Sequence, residues 1–155
     1  MTIQPRTITP FLWYDDQAEE AAKFYVSLFA NSGIDSMFRL DGRPLTVNFH
    51  LGNQTFIALN GGPEFTFNES FSVFVEVDTQ QQVDELWNRL TANGGEESQC
   101  GWLKDRYGLS WQIVPKTLME RLSATDPVKA KRAMEAMLKM QKIDIAKIEA
   151  AYAGR

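Results

Sequence analysis

The chain passes twice through one order of hydrophobic and polar positions. Each pass begins with apolar residues at every second position, continues with apolar residues three and four apart, and ends in three short alternating stretches. Alternation is typical of a strand and the wider spacing of a helix. The passes cover residues 8–60 and 71–115, so we predict an α+β fold of two βαβββ modules whose half-sheets form a cleft.

Capping residues and glycines set the expected ends of the two module helices. Asp15 or Asp16 should begin the first helix, and Gly33 should follow its end. Asp78 or Thr79 should begin the second helix. In each module the helix lies between the first and second strands, as the βαβββ order requires.

The chain beyond residue 115 reads as helical. Asp126 is followed by a proline, which suits the first helical position, and Asp144 can cap a last helix. We therefore divide the chain into a paired-module domain, residues 1–115, and C-terminal helices, residues 116–155. These helices should pack on the domain or on a dimer partner.

The side chains of a strand alternate between its two faces, so each strand splits into a helix-facing set and a cleft-facing set. In the strand that opens the second module, for example, Val73, Val75 and Val77 suit the helix side. Aromatic and polar side chains are left for the cleft, a make-up typical of small-molecule pockets. The predicted ligand-binding residues are Thr9, Phe11, Trp13, Asn48, His50, Phe56, Ser72, Phe74 and Gln112.

Composition narrows the class of protein. The 155 residues carry a net charge of -4 and no basic stripe, which argues against a nucleic-acid partner. No apolar run reaches the roughly 20 residues that span a bilayer, and the N-terminus lacks the apolar core of a signal peptide. The one cysteine, Cys100, cannot form an internal disulfide. We expect a cytoplasmic protein whose partner is a small molecule.

Four stretches carry a family resemblance: Ile-Thr-Pro-Phe-Leu-Trp at residues 8–13, Phe-Ile-Ala-Leu-Asn-Gly-Gly at 56–62, Cys-Gly-Trp-Leu-Lys-Asp at 100–105, and the run 107–115. With them the chain resembles the PhnB-like family whose domain is described as 3-demethylubiquinone-9 3-methyltransferase. That family lies in the vicinal oxygen chelate superfamily with glyoxalase I, extradiol dioxygenases and bleomycin-resistance proteins. The tail, residues 126–154, resembles the family's closing helices, and the resemblance implies a homodimer.

The resemblance also implies where a metal ion would lie. Metal-using members carry His or Glu on the first, fourth, fifth and eighth strands, and the matching positions here are Thr9, Ala58, Ser72 and Gln112. None is a strong ligand for a divalent transition metal, so we predict no metal. The methyltransferase description would require S-adenosylmethionine, but neither Gly61-Gly62 nor Gly94-Gly95 lies between a strand and a helix N-terminus. No cofactor is predicted unless the description applies.

The catalytic residues, if any, stay open. His50 or Glu76 can act as a general base, and each has a simpler interpretation, as a hydrogen-bonded strand histidine or a solvated carboxylate. Cys100 is a candidate nucleophile or a packed thiol. Three hypotheses follow: a metal-free small-molecule-binding protein with an aromatic or amphipathic ligand, a methyltransferase as the family description says, and a structural dimer without catalytic activity.

Overall fold

The first pass of the pattern folds as a four-stranded sheet with one helix, in a unit that ends at Thr66. In the computed structural model, which describes residues 2–155, the elements of this unit are β1 (Phe11–Tyr14), α1 (Ala18–Val26), β2 (Ser32–Leu40), β3 (Arg43–Leu51) and β4 (Gln54–Asn60). The strand order is β1-β4-β3-β2, with β1 parallel to β4 and the other pairs antiparallel. Residue 1 of the predicted domain 1–115 lies outside the described residues.

The second pass repeats this order in a unit that begins at Phe67. Its elements are β5 (Ser72–Val77), α2 (Gln80–Thr91), β6 (Glu96–Glu97), β7 (Trp102–Lys104) and β8 (Ser110–Pro115), and the strand order is β5-β8-β7-β6. Three helices follow: α3 (Lys116–Leu122), α4 (Pro127–Met137) and α5 (Ile145–Ala153). The predicted α+β fold with a duplicated module is confirmed. No helix within residues 2–155 is long and apolar enough to cross a membrane.

Aromatic packing between α1 and the sheet builds the core of the first unit. Phe49 on β3 and Phe56 on β4 stack with ring centroids 5.2 Å apart, and Tyr25 of α1 lies 6.2 Å from Phe49. The hydroxyl of Tyr14 donates to that of Tyr25 over 3.1 Å. All four rings are buried, so this face of the sheet is closed by α1.

The prediction that Phe56 and Ala58 face the cleft is wrong. The two-residue turn between β3 and β4 pairs Leu51 with Gln54, and the same register places Phe56 opposite Phe49 and Ala58 opposite Val47. Directly paired residues of antiparallel strands share a face. Both side chains therefore lie under α1. The residues of β4 that point away from α1 are Thr55, Ile57 and Leu59.

The predicted ends of α1 are also wrong. Its N-cap residue is Gln17, whose side chain makes no capping hydrogen bond. The side-chain carbonyl of Asn60, at the end of β4, accepts a hydrogen bond from the backbone N–H of Ala18 over 2.8 Å. This bond does what the side chain of an N-cap residue usually does, since it satisfies a free N–H group in the first turn of α1. Gly33 lies inside β2 because α1 ends at Val26, earlier than the apolar spacing indicated.

Three other caps match the sequence. Thr79 and Gln82 form a reciprocal capping box at the start of α2. The Asp126 carboxylate accepts from two backbone N–H groups at the start of α4, with Pro127 at the first helical position. Asp144 caps α5 through the N–H of Lys147.

Within the second unit, the C-terminal helices pack against the end of β8 and the start of α2. A cluster formed by Val114, Leu118, Ala133, Ile143 and Ile148 joins the end of β8 to α3, α4 and α5. The Gln80 amide at the start of α2 donates to the carbonyl of Ile143 and accepts from the N–H of Ile145. These bonds fix the segment between α4 and α5 against α2.

The turn that contains Cys100 is hydrogen-bonded to the same segment, between α4 and α5. The backbone N–H groups of Cys100 and Gly101 donate to the carbonyls of Met140 and Gln141, each over 2.8 Å. Both turn residues have positive φ. A Cβ on Gly101 would lie 3.0 Å from the carbonyl oxygen of Ile113, so glycine is needed there for close approach as well as for φ.

Candidate functional site

The face of the first sheet that points away from α1 is the candidate site, and we call it the first open face. Its side chains come from β1, β4, β3 and β2, together with Thr9 just before β1. Thr9 belongs to this face because its hydroxyl oxygen lies 3.3 Å from that of Thr55. The first open face consists of Thr9, Phe11, Trp13, Asp35, Ser36, Phe38, Thr46, Asn48, His50, Thr55, Ile57 and Leu59.

Cross-strand pairing orders most of these side chains into three rows. Successive rows lie two residues apart along the strands, roughly 7 Å. The first row is polar and the third is mainly apolar, so polarity changes steadily along the strands. The rows are Thr55–His50 with Thr9 beside them, then Phe11–Ile57–Asn48–Ser36, then Trp13–Leu59–Thr46–Phe38.

Trp13 is held rigidly at the apolar end of this face. Its indole Nε1 donates to the carbonyl of Gly62 over 2.9 Å, and the ring of Phe65 meets it edge-on at 5.1 Å. A Cβ on Gly61 would lie 2.3 Å from the indole, so glycine is required under the ring. Phe65 is not among the predicted site residues, because it lies in the loop after β4 and carries no periodic signal.

Phe11, in the middle row, is the exposed aromatic of β1. Its side chain is 57% exposed, although the neighbouring Leu12 is buried on the α1 side. On β3, the Asn48 side-chain amide donates to the hydroxyl of Ser36 over 2.7 Å. The middle row therefore offers an apolar ring on one side and an oriented polar pair on the other.

His50 has a partner that sequence analysis did not identify. Its Nδ1 lies 2.8 Å from a carboxylate oxygen of Asp35 on β2. Asp35 falls at a register shift between Ile34 and Ser36, where an extra residue bulges from the edge strand. Both side chains are partly exposed, at 34% for His50 and 46% for Asp35. The polar end of the first open face thus carries an imidazole–carboxylate pair.

In the second unit, the predicted faces of β5 and β8 are confirmed. Val73 pairs with Trp111 and Val75 with Ile113 on the α2 side, and Ser72, Phe74 and Glu76 point the other way. The Gln112 amide donates to the hydroxyl of Ser72 over 2.9 Å. Phe74 and Glu76 are exposed. The role of Ser72, Phe74 and Gln112 as ligand contacts, and that of Glu76 as a base, stay predictions.

A small cavity of about 100 Å³ lies beside this second face, around Lys104, Glu69 and Ser110. The Lys104 ammonium lies 2.6 Å from the Glu69 carboxylate, and the hydrogen bond between them lowers the pKa of Glu69 and raises that of Lys104. The Ser110 hydroxyl is buried, and residues 2–155 offer it no hydrogen-bond partner. Because Glu69 already neutralises Lys104, the cavity lacks an uncompensated cation for binding an anion.

The four positions matched to metal ligands do not form a coordinating set. The Thr9 hydroxyl contacts Thr55, the Ser72 hydroxyl accepts from Gln112, and Ala58 lies under α1. Divalent transition metals prefer imidazole, thiolate or carboxylate ligands, and all four side chains are neutral. In the part of the chain that the structure describes, no three His, Cys, Asp or Glu residues cluster as a metal site.

The two glycine pairs do not fit a nucleotide-binding turn either. Gly61 packs closely under the Trp13 indole, and the carbonyl of Gly62 accepts the hydrogen bond from the indole Nε1. Gly94 and Gly95 lie between α2 and β6, after a helix and not before one. Binding turns of this kind place glycine between a strand and the N-terminus of the next helix.

Comparison with known proteins defines the family. The model of a family described as 3-demethylubiquinone-9 3-methyltransferase matches residues 6–114. A PhnB protein from Bacillus cereus with the same description is 32% identical, and the match covers 71% of this chain and 99% of that one with a TM-score of 0.66. The chain therefore belongs to this family. The match ends before α3, so the C-terminal helices lie outside it.

More distant structures share the fold. A protein from Pseudomonas aeruginosa is 18% identical, with a TM-score of 0.59 over 72% of this chain and 98% of its own. A glyoxalase/bleomycin resistance protein from Albidiferax ferrireducens T118 is also 18% identical, with a TM-score of 0.50 over 70% and 96%. No curated protein matches the chain. The duplicated module is thus that of the glyoxalase/bleomycin-resistance fold.

Proposed function

We propose that the protein binds a small amphipathic aromatic molecule on the first open face, without a metal ion. The observation that carries the proposal is the graded polarity of that face, with a fixed indole at one end and an imidazole–carboxylate pair at the other. An aromatic ring would lie against Phe11 and Trp13, and its polar substituent would reach Asn48 or His50.

The exposed aromatic surface supports an aromatic ligand. Covering about 100 Å² of apolar surface contributes roughly 2–3 kcal/mol at about 25 cal/mol per Å². A stacked or edge-on ring pair adds about 0.5–1.5 kcal/mol. Because Trp13 is already held by Gly62 and Phe65, binding would cost little side-chain entropy there.

The second unit carries a similar surface of its own. Phe74 offers an exposed ring, and the Ser72–Gln112 pair offers an oriented amide and hydroxyl. We propose these three residues as further ligand contacts. Phe74→Ala and Gln112→Ala should each weaken ligand binding to the second unit, and an affinity equal to that of the wild type in both variants would contradict these contacts.

The proposal is tested by thermal shift and tryptophan fluorescence with a panel of hydroxylated aromatic compounds. A bound ligand raises the melting temperature by mass action. Phe11→Ala should weaken binding at least fivefold, about 1 kcal/mol, whereas Leu40→Ala, which removes a similarly exposed apolar side chain from β2, should not. If no compound shifts the melting temperature, or if Phe11→Ala binds as the wild type does, the proposal fails.

The family description names a methyl transfer, which would use S-adenosylmethionine. The packing of Gly61 on Trp13 argues against a nucleotide-binding turn at that position, and the proposed function leaves this cofactor out. We expect S-adenosylmethionine to leave the melting temperature unchanged, and a rise that saturates with its concentration would favour the methyltransferase. Stoichiometric zinc, nickel or iron in the purified protein would contradict the metal-free proposal.

Homodimerisation is a further part of the proposal. Three apolar side chains on and beside α4, those of Val128, Met134 and Leu138, are exposed and would be covered in a dimer. Sedimentation at two protein concentrations measures the state directly. A mass of one chain at both concentrations would contradict the dimer without affecting ligand binding on the first open face.

A further inference from the structure

The imidazole of His50 is oriented by two contacts. Asp35 accepts a hydrogen bond and cannot donate one as a carboxylate, so the proton of a neutral imidazole lies on Nδ1. The ring also lies close over Gly33, whose Cβ position is 3.5 Å from the ring carbon Cε1. Residues 2–155 form no hydrogen bond with Nε2, which is left as an acceptor.

The charged group in hydrogen-bond contact with His50 is the carboxylate of Asp35. The cross-strand neighbours of His50 are Gly33 on β2 and Thr55 on β4, neither of which carries a charge. Asp35 therefore fixes the tautomer and the orientation of the imidazole through the hydrogen bond to Nδ1. Pairs of this kind act as proton acceptors where a substrate proton lies within reach of the free nitrogen.

The position of the His50–Asp35 pair on the first open face determines which part of a bound ligand it can contact. Its row is adjacent to the row that contains Phe11 and Ile57, roughly 7 Å away along the strands. Because β4 lies between β1 and β3, a ring that covers Ile57 beside Phe11 would direct its substituent toward His50 in the polar row. Thr55, beside His50, adds a hydroxyl that can donate to an oxygen placed there.

We propose that His50 accepts the proton of an aromatic ligand that carries an acidic hydroxyl, a phenol or an enol, and that Asp35 is the positioning residue. In this step the O–H bond breaks, its electron pair stays on the oxygen, and the proton forms an N–H bond at Nε2. The imidazolium is stabilised by Asp35 and the oxyanion by the imidazolium. This inference rests on the proposed function, because it requires that the ring bind on the first open face.

The test uses 4-nitrophenol, whose ionised form absorbs at longer wavelength than its neutral form. One pH unit below the midpoint of the free ligand, 4-nitrophenol bound to the wild type should show the phenolate absorbance. In His50→Gln the ratio of phenolate to phenol should fall about tenfold, as a shift of one pKa unit requires. Asp35→Asn should lower the ratio partly. Asp41→Asn, which removes the same charge from an exposed turn, should leave it unchanged.

A second ligand separates the two proposals. 4-Nitroanisole has the same ring but no acidic proton, so it should bind the wild type, and Phe11→Ala should weaken its binding as it does that of 4-nitrophenol. If both ligands bind but His50→Gln and Asp35→Asn leave the phenolate ratio unchanged, the inference is overturned and the binding function stands. If neither ligand binds the wild type, the proposed function itself fails.

Discussion

Truncating Phe56 tests the register that defines the first open face. Phe56 is 4% exposed and stacks on Phe49 under α1. Replacing a buried phenylalanine by alanine removes its apolar surface and leaves a cavity, and typically costs about 3–5 kcal/mol. We therefore expect Phe56→Ala to lower the free energy of unfolding by that amount. Phe11→Ala should cost no more than about 2 kcal/mol, because over half of that side chain is already in solvent.

Urea unfolding followed by circular dichroism measures these differences, with Ile57→Ala as the matched variant. Ile57 is the next residue on β4 and points to the opposite face. If β4 were displaced by one residue, Ile57 would lie in the core, and Ile57→Ala would lower the free energy of unfolding more than Phe56→Ala does. A loss below about 1 kcal/mol for Phe56→Ala, together with a larger loss for Ile57→Ala, would refute the register and the face derived from it.

Three further predictions concern stability. Asp105→Ala removes the acceptor for two backbone N–H groups and for the Trp111 indole and should cost about 3 kcal/mol or more in urea unfolding; a loss under about 1 kcal/mol would contradict this. Thr79→Ala should cost about 1 kcal/mol, and Thr79→Ser much less, if the capping box stabilises α2. The hydrogen bond from Lys142 lowers the pKa of Asp84 below its ordinary value of 3.8. The pair therefore contributes its full stabilisation to the fold at pH values above 3.8 and loses it as the pH falls through the lowered pKa. Lys142→Gln should reduce the acid-dependent loss, and an unchanged pH profile would exclude the pair as its source.

The order of elements was readable from the sequence because strand and helix periods differ clearly. The face of β4 was not read correctly, since both of its alternating sets are apolar and periodicity alone cannot choose between them. The turn of the β3–β4 hairpin determines which set of β4 side chains lies under α1. A two-residue turn that pairs Leu51 with Gln54 must pair Phe49 with Phe56. The face of β3 therefore determines the face of β4.

Two contacts could not be predicted because they depend on irregular or distant geometry. Asp35 reaches His50 from a bulge in β2, and the segment around it shows no alternation that marks a strand. Asn60 caps α1 from a position 42 residues beyond Ala18 along the chain. Local signals such as the Asp126 cap were readable because the capping residue and the helix it begins are adjacent.

The most direct test of the ligand site is a ¹H–¹⁵N NMR titration with 4-nitrophenol. We expect the largest chemical-shift changes on the first open face, at the backbone amides of Phe11, Trp13, Asn48 and His50 and at the indole N–H of Trp13. Shift changes confined to α3, α4 and α5, or their complete absence at saturating ligand, would contradict the claim that this face is the binding site.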